Sequence, residues 1–177
     1  MPEGMTTEKL LILKRLTAHL ETISVAGGYF NDLAGKVFRG RMVFGDETTE
    51  PFVSLMEAPR QIDPFGGGGD SKAQQNEAWT LLAQGIAQDD KLHPTDPAYL
   101  LLGDVQRAFG RLIETHPNTG NPLYPDEYML GGLVSDFRFQ VPIVRPPEKD
   151  VSPVAIFYFP FTVDVVTNLA NPYVQED

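Results

Sequence analysis

KVFRGRMVFGD, residues 36–46, and PFVSLMEAPR, residues 51–60, are the two stretches that say most about how this chain folds. Both are rich in β-branched and aromatic residues, a composition that favours strands. The second contains Pro51 and Pro59, which cannot donate a hydrogen bond to a strand ladder and therefore mark its ends. We predict two short strands, over 36–43 and 52–57, that pair as a hairpin joined by an acidic turn.

Two amphipathic helices are predicted, one over 7–22 behind a threonine cap and one from 95 to about 113. Thr95 and Pro97 have the order of a helix cap followed by an early proline. The stripes expected to be buried are Leu10, Leu13, Leu16 or Leu20, and Ile23 in the first helix, and Leu101 or Leu102, Val105, Phe109 and Leu112 in the second. The residues expected to be exposed on the second helix are Asp104, Gln106, Arg107 and Arg111.

Further strand signals lie in residues 77–88, 134–145 and 154–166. The alanines and leucines of 77–88 would also suit a helix, but its Trp-Thr start and the helix breaker Gly85 favour a strand. In 154–166 the phenylalanines alternate with other residues, which places Tyr158 on the opposite face from them. Pro160 in the middle of this run predicts an edge strand or a bulge.

The order of these elements implies an α+β fold with a mixed, mostly antiparallel sheet and both helices on one face. A chain of 177 residues is expected to form a single domain, 1–177. Two long loops are predicted, over 59–76 and 116–127, and the first contains four consecutive glycines at 66–69. Long loops in compact domains are commonly binding segments, so these two are the expected contact elements.

Composition excludes several classes of function. The chain has 14 basic and 24 acidic residues, and the net charge of −10 disfavours a protein that grips the phosphate backbone of nucleic acid. It has no cysteine, which removes disulfides, thiolate metal sites and cysteine nucleophiles. No apolar run approaches the roughly 18 residues of a transmembrane helix, so we expect no membrane partner.

Candidate catalytic chemistry is sparse. The best metal-ligand group is Asp89, Asp90, His93 and Asp96, although carboxylates beside threonine and proline are ordinary in turns and helix caps. The glycine run lacks the Lys-Ser or Lys-Thr pair of a phosphate-binding loop, and no Gly-x-Ser-x-Gly motif occurs. We therefore expect no catalytic residue, no cofactor and no metal, and a protein that is not an enzyme.

The stretches VFRGRMVFGD and PFVSLMEAPR resemble the same region of the tail terminator (tail completion) proteins of long-tailed double-stranded-DNA bacteriophages. The similarity continues through DPAYLLLGDVQRAF (96–109) and IVRPPEKDVSPVAIFYFPFTVDVV (143–166) to NPYV (171–174), and so spans most of the chain. These are structural patterns and not catalytic motifs. The resemblance also supports the strand reading of 77–88.

The resemblance implies a structural virion protein that caps the head-proximal end of the tail tube, stops tube polymerisation and offers a surface for joining to the neck of the head. It implies a homo-oligomeric ring, expected to be hexameric, with the tail tube protein and a neck or connector protein as partners. Genomic DNA would pass through the lumen without specific binding, for which a negative lumen is useful. The protein would be assembled in the host cytoplasm and reside at the tail–neck junction of the virion.

Four residues are candidate interface positions: Arg39, Arg41, Phe65 and Tyr158. The two arginines are expected on one strand face, either in salt bridges or in contact with an acidic neighbouring subunit, while Phe65 is an apolar anchor in the glycine-rich loop. Two alternative functions remain open. One is a neck or head-completion adaptor, and the other is a small metal-dependent hydrolase built on the group around Asp89.

Overall fold

Residues 4–42, 44–45, 48–58 and 72–176 are described by this computed structural model, and within them the chain forms eight strands, three α-helices and one 3-10 helix. In chain order these are β1 (Met5–Thr7), α1 (Glu8–Glu21), the 3-10 helix (Val25–Gly27), β2 (Val37–Arg39), β3 (Phe52–Glu57), β4 (Gln74–Ile86), α2 (Asp96–Arg111), α3 (Met129–Gly132), β5 (Asp136–Phe139), β6 (Ile143–Arg145), β7 (Ile156–Asn168) and β8 (Tyr173–Gln175). None of the helices in these ranges is long and apolar enough to cross a membrane.

The fold is α+β, as predicted, with a mixed and mostly antiparallel main sheet. Its strand order is β2-β3-β4-β7-β5, and β6 pairs with β7 beyond the end of β5. Only the β2–β3 pair is parallel among these strands, while the other pairs in the main sheet are antiparallel. A separate two-stranded sheet joins β1 to β8 and so brings the two ends of the described chain together.

The predicted pairing of the first two strands is correct, but the predicted hairpin is wrong. Val37 pairs with Val53 and Arg39 pairs with Leu55 in a parallel register. Strand β2 ends at Arg39, four residues before the predicted end, and the next residue, Gly40, has a left-handed φ of 63°. Parallel strands need a connection that returns along the strand, so β2 and β3 cannot be joined by a tight turn.

One face of the main sheet, the inner face, is covered by α1 and α2. Phe157, Phe159 and Phe161 of β7 point to this face and are almost fully buried, as the alternation predicted. The ring of Phe109 on α2 lies 5.0 Å from the ring of Phe161, which ties the helix to the sheet. Burying a phenylalanine contributes roughly 1.5–3 kcal/mol, so these rings are a main source of stability.

The buried stripes of the two helices are partly as predicted. On the second helix every predicted core position is buried, together with neighbouring Ala98 and Ala108. On α1, Leu16 and Leu20 are buried, but Leu10 is exposed and Leu11 and Ile12 take its place in the core. Near the N-terminus of α1, the residues that face the core therefore differ from the predicted ones. Thr7 occupies the N-cap position without a side-chain cap hydrogen bond.

The opposite face of the sheet, the outer face, is covered at one end by the segment that follows β2. Ser54 points to this face and is fully buried. Its hydroxyl donates to the backbone carbonyl of Arg41 at 2.8 Å, so the buried polar group has a partner. A second, smaller core forms here, which we call the outer cluster. Its members are Phe38, Phe44, Phe52, Ile86, Val154, Ile156 and Tyr158.

Pro160 is in a central strand, so the predicted edge position is wrong. Strand β7 pairs with β4 along its full length on one side and with β5 and β6 on the other. The Pro160 carbonyl accepts the N–H of Gln140 at 3.0 Å, so its missing N–H would point to the same side. That side is where β5 has ended and β6 has not begun, and the break in the neighbouring strands accommodates the proline.

Candidate functional site

Arg39 lies at the exposed end of β2, on the inner-face side of the sheet beside α1. Its guanidinium donates to the Thr17 hydroxyl at 3.3 Å, and that hydroxyl donates to the Leu13 carbonyl at 2.7 Å. Within the described ranges Arg39 contacts no carboxylate. The arginine is therefore held in place by a neutral partner. Its positive charge lies at the edge of the sheet, where an acidic group of a partner could pair with it.

Arg41 belongs to a different part of the surface, which corrects the prediction that the two arginines share one strand face. Strand β2 ends at Arg39, and the turn at Gly40 takes the chain over the outer face. The Arg41 guanidinium lies 5.0 Å from the ring centroid of Phe38 and 5.1 Å from that of Phe44. Such cation–π contacts are worth about 0.5–1 kcal/mol at exposed sites, so Arg41 helps to hold this segment on the outer cluster.

Tyr158 lies on the outer face, opposite the buried phenylalanines, as predicted. It is half-buried in the outer cluster and pairs with Gln84 and Ile143 in the two neighbouring ladders. Arg145 on β6 lies 5.9 Å from the centroid of its ring. The structure thus brings Arg41 and Tyr158 to the same cluster and leaves Arg39 on the other side of the sheet.

A pocket of about 460 Å³ opens beside the outer cluster. Its walls come from the segment after β2, from β3, β4 and β7, and from the loop before β7; the lining residues are Met42, Phe44, Gly45, Thr48, Glu50, Phe52, Gln84, Ile86, Val151, Ser152, Pro153 and Ile156. Partial burial raises the pKa of Glu50 above its ordinary value, and the nearby charge of Asp89 adds to the effect. The buried Thr48 hydroxyl has no hydrogen-bond partner in the described part of the chain. Polar side chains (Thr48, Glu50, Gln84 and Ser152) therefore share the lining with apolar ones.

Phe65 lies outside the described residues, and so does the glycine run beside it. On the two sides of this segment, the Ala58 N–H donates to the Thr80 carbonyl and β4 begins at Gln74. The last residues of the predicted loop are therefore strand. The loop predicted over 116–127 is described and consists largely of turns, closed by a bridge between Thr115 and Pro122.

The residues of the candidate metal group serve the turn before α2. One carboxylate oxygen of Asp90 accepts the backbone N–H groups of Leu92 and His93 at 2.8 and 3.0 Å. These two hydrogen bonds lower the pKa of Asp90. Asp96 starts α2, and its N–H donates to the His93 carbonyl. In the described ranges no group of three or more histidine and acidic side chains is arranged to hold a metal ion.

Asp104 was predicted to be exposed, and that prediction is wrong because only 3% of it is accessible to solvent. One carboxylate oxygen accepts the backbone N–H of Asn31 at 2.9 Å and its side-chain amide at 2.8 Å. The Phe30 N–H also donates to the carboxylate. Asp104 thus fixes the turn after the 3-10 helix against α2. Sequence spacing gives no sign of this contact, because the partners are more than 70 residues apart.

A second polar network that the sequence did not indicate links α1, α2 and the 116–127 loop. Arg111 makes two side-chain hydrogen bonds to Glu127, one of them at 2.8 Å, and these lower the pKa of Glu127. The Nε2 atom of His19 donates to the Ala108 carbonyl at 2.7 Å, and its Nδ1 atom lies 3.7 Å from Glu127. Burial lowers the pKa of His19. The network links the two helices to the 116–127 loop and stabilises their packing.

No protein-family model matches the chain, and a search of curated proteins finds no significant sequence match.

Proposed function

We propose that this protein is a tail terminator of a long-tailed double-stranded-DNA bacteriophage. In this role it forms a noncatalytic ring, expected to be hexameric, on the head-proximal end of the tail tube. The observation that carries the proposal is the resemblance of residues 36–46 and 51–60 to the corresponding region of that family. The further resemblance of 96–109, 143–166 and 171–174 extends it along most of the chain.

The fold is compatible with this role. The resembling segments contain β2, β3, β6 and most of β7 from the main sheet, most of α2 from its helical cover, and part of β8 from the small sheet. A sheet with long central strands and one helix-covered face gives a rigid subunit on which loops and an outer surface can meet partners. Surface complementarity, and not catalysis, is then the mechanism.

The net charge of −10 supports the same role. A ring around the path of DNA must let the phosphate backbone slide, and basic surfaces would bind it through counterion release. An acidic subunit avoids that binding. Within the candidate metal group, the Asp90 carboxylate already accepts two backbone N–H groups in the turn before α2.

Termination follows from the geometry of tube growth. A tube subunit adds to its own kind through a repeated heterologous interface, which continues until something occupies the last ring without reproducing that interface. The tail terminator would bind the tube on one side and present a different surface to the neck on the other. The candidate surfaces are the edge at Arg39, the outer cluster with Arg41 and Tyr158, and the segment that contains Phe65.

The decisive experiment is electron microscopy of a phage that lacks this gene, with complementation by the intact gene as the control. We expect tails of uncontrolled length that fail to join heads, and restoration of normal particles on complementation. Tails of normal length lying beside separate DNA-filled heads would contradict the proposal and favour the neck-adaptor alternative.

A second measurement tests ring formation directly. The purified protein is measured by mass photometry, alone and mixed with isolated tail-tube ends. We expect a closed assembly of several subunits in the mixture, whether or not it also forms in the protein alone. Stable monomers or closed dimers under both conditions would contradict the ring.

A further inference from the structure

The main sheet ends on both sides in a strand with an unpaired edge. One edge is β2 and the other is β5, followed by β6. Successive residues of a strand direct their backbone groups alternately to the two sides, so an edge strand carries a row of N–H and C=O groups without partners. Such edges are templates for pairing with another strand.

On β2 the unpaired positions are Val37 and Arg39. The Lys36 carbonyl accepts the Val53 N–H at 3.0 Å, and the Gly40 N–H donates to Leu55 at 2.7 Å. These bonds fix the alternation, so the N–H and C=O groups of Val37 and Arg39 point away from β3. Within the described residues neither N–H has an acceptor.

On β5 the unpaired positions are Phe137 and Phe139. The Gln140 N–H donates to Pro160 on β7, so the residues on either side of Gln140 direct their backbone groups away from β7. Next to this edge two β-branched side chains are exposed to solvent, Val141 to 84% and Ile143 to 56%. Exposed apolar residues beside an open edge indicate a surface that a partner covers.

The directions of the two edges are compatible with each other. Strand β2 is parallel to β3, and each later step across the sheet, to β4, β7 and β5, reverses direction. Strands β2 and β5 therefore run in opposite directions. If a second copy continues the sheet with the same face inward, its β2 lies antiparallel beside β5 of the first copy.

The distribution of charge favours one register. Antiparallel pairing places the C-terminal end of β2, with Arg39, beside the N-terminal end of β5. Asp136 starts β5, and the exposed Asp126 comes before it in the preceding loop. Asp136, Arg138 and Asp164 are joined by ion pairs and together carry one net negative charge. With Val37 opposite Phe139 and Arg39 opposite Phe137, the basic end of one edge meets the acidic end of the other.

We propose that β2 of one subunit adds antiparallel to β5 of the next, so that the sheets of neighbouring subunits are continuous. This inference rests on the proposed function, because it gives the subunit contact of the ring. The two edges are different surfaces, so the contact is heterologous and repeats around a closed ring or along an open chain. Arg39 is then an interface residue by its place on the edge.

The absence of cysteine makes the contact directly testable. In the proposed register Lys36 lies opposite Gln140 of the next subunit as a non-hydrogen-bonded pair, with Cα atoms about 4.5 Å apart. That separation suits a disulfide. The variant Lys36→Cys/Gln140→Cys, oxidised alone and with tail-tube ends, is expected to give a ladder of covalent oligomers on a non-reducing gel. The matched control is Lys36→Cys/Gln106→Cys, whose second cysteine is exposed on α2 and should give no ladder.

A second pair of variants tests the backbone contact. Arg39→Pro removes an N–H that points out of the sheet, whereas Arg39→Ala removes only the side chain. Loss of this hydrogen bond, with the steric effect of the ring, should weaken association of Arg39→Pro on the order of tenfold relative to Arg39→Ala. Circular dichroism of the two monomers checks that both remain folded.

The outcomes separate this inference from the proposed function. Rings that form without the Lys36–Gln140 cross-link would overturn the edge contact and leave the tail-terminator proposal intact. Cross-linked open chains in place of closed rings would support the edge contact and contradict the terminator. No assembly of the unmodified protein, alone or with tube ends, would overturn both.

Discussion

Gly85 and Phe157 lie opposite each other in the ladder between β4 and β7, and the Phe157 ring fills the space that a side chain on Gly85 would occupy. Phe157 is fully buried on the inner face. The glycine that reads as a breaker in the sequence is therefore a packing requirement, because only a residue without Cβ lets the ring lie flat on the neighbouring strand.

Gly85→Ala should destabilise the protein by about 1–3 kcal/mol, since the added methyl overlaps the ring and forces the core to shift. The measurement is the free energy of unfolding in urea. Gly103→Ala is the matched control: Gly103 is exposed on α2 with no atom near its Cβ position, and this change should stabilise the helix by roughly 0.5–1 kcal/mol. Equal effects at the two positions would contradict the packing argument.

Asp104→Ala should lower the free energy of unfolding by about 1–3 kcal/mol, because it removes the buried carboxylate that accepts hydrogen bonds from Phe30 and Asn31. Gln106→Ala, two residues along α2 and exposed, should change stability little. Amide hydrogen exchange gives a second readout, in which the Asn31 N–H should lose protection in the Asp104 variant and keep it in the control.

His19 should make the protein less stable as the pH falls from 7.5 to 5. Burial lowers its pKa in the folded state, so the unfolded chain takes up a proton near 6.5 while the folded protein does so only at lower pH. Urea unfolding across this range should show a smaller loss in His19→Gln than in the unmodified protein. His93→Gln, in an exposed turn, is the control. Equal pH dependence in all three proteins would sink the prediction.

Acidification below this range should destabilise the protein further through Glu127. Its pKa is lowered by the hydrogen bonds from Arg111, so the stability that its ionised form contributes is present above about 4.5 and is lost as the pH falls through the folded-state value. Glu8 and Glu50 act in the opposite direction, because burial raises their pKa values. Comparison of Glu127→Gln with the unmodified protein at pH 3–5 isolates the contribution of Glu127.

The purified protein should contain no stoichiometric metal, and chelation should leave its melting temperature unchanged. The physical reason is that the Asp90 carboxylate accepts two backbone N–H groups, and that no metal-binding group of three or more histidine and acidic side chains occurs in the described ranges. Elemental analysis with and without prior chelation, together with thermal unfolding, checks both parts. About one metal ion per chain would revive the hydrolase alternative.

Shortening residues 65–71 should preserve the fold and weaken joining to heads. Four glycines contribute little packing, whereas Phe65 offers an apolar anchor for a partner. Circular dichroism measures the first half of the prediction, and an in vitro head-joining assay measures the second. Phe65→Ala alone should reproduce the loss of joining, and deletion of two of the glycines should not. An unfolded deletion variant would show that the segment is structural.

Local sequence patterns were sufficient to predict α2 and β7. In each element one face is turned towards the core. This produces an apolar stripe along the helix and alternating phenylalanines along the strand, and both patterns can be read from neighbouring residues in the sequence. The opposite placement of Tyr158 follows from the same alternation. The α+β class and the mostly antiparallel sheet then follow from the order of the elements.

The features that the sequence could not give depend on where distant parts of the chain meet. Strands β2 and β3 could pair in either direction from their sequences, and the structure has them parallel. Pro160 is accepted in a central strand only because β5 ends and β6 begins beside it. From the sequence, Asp104 is expected on the solvent-facing side of its helix. In the structure the turn at Asn31 packs over it. A buried carboxylate needs donors to replace water, and only the tertiary structure brings donors from 70 residues away to this one.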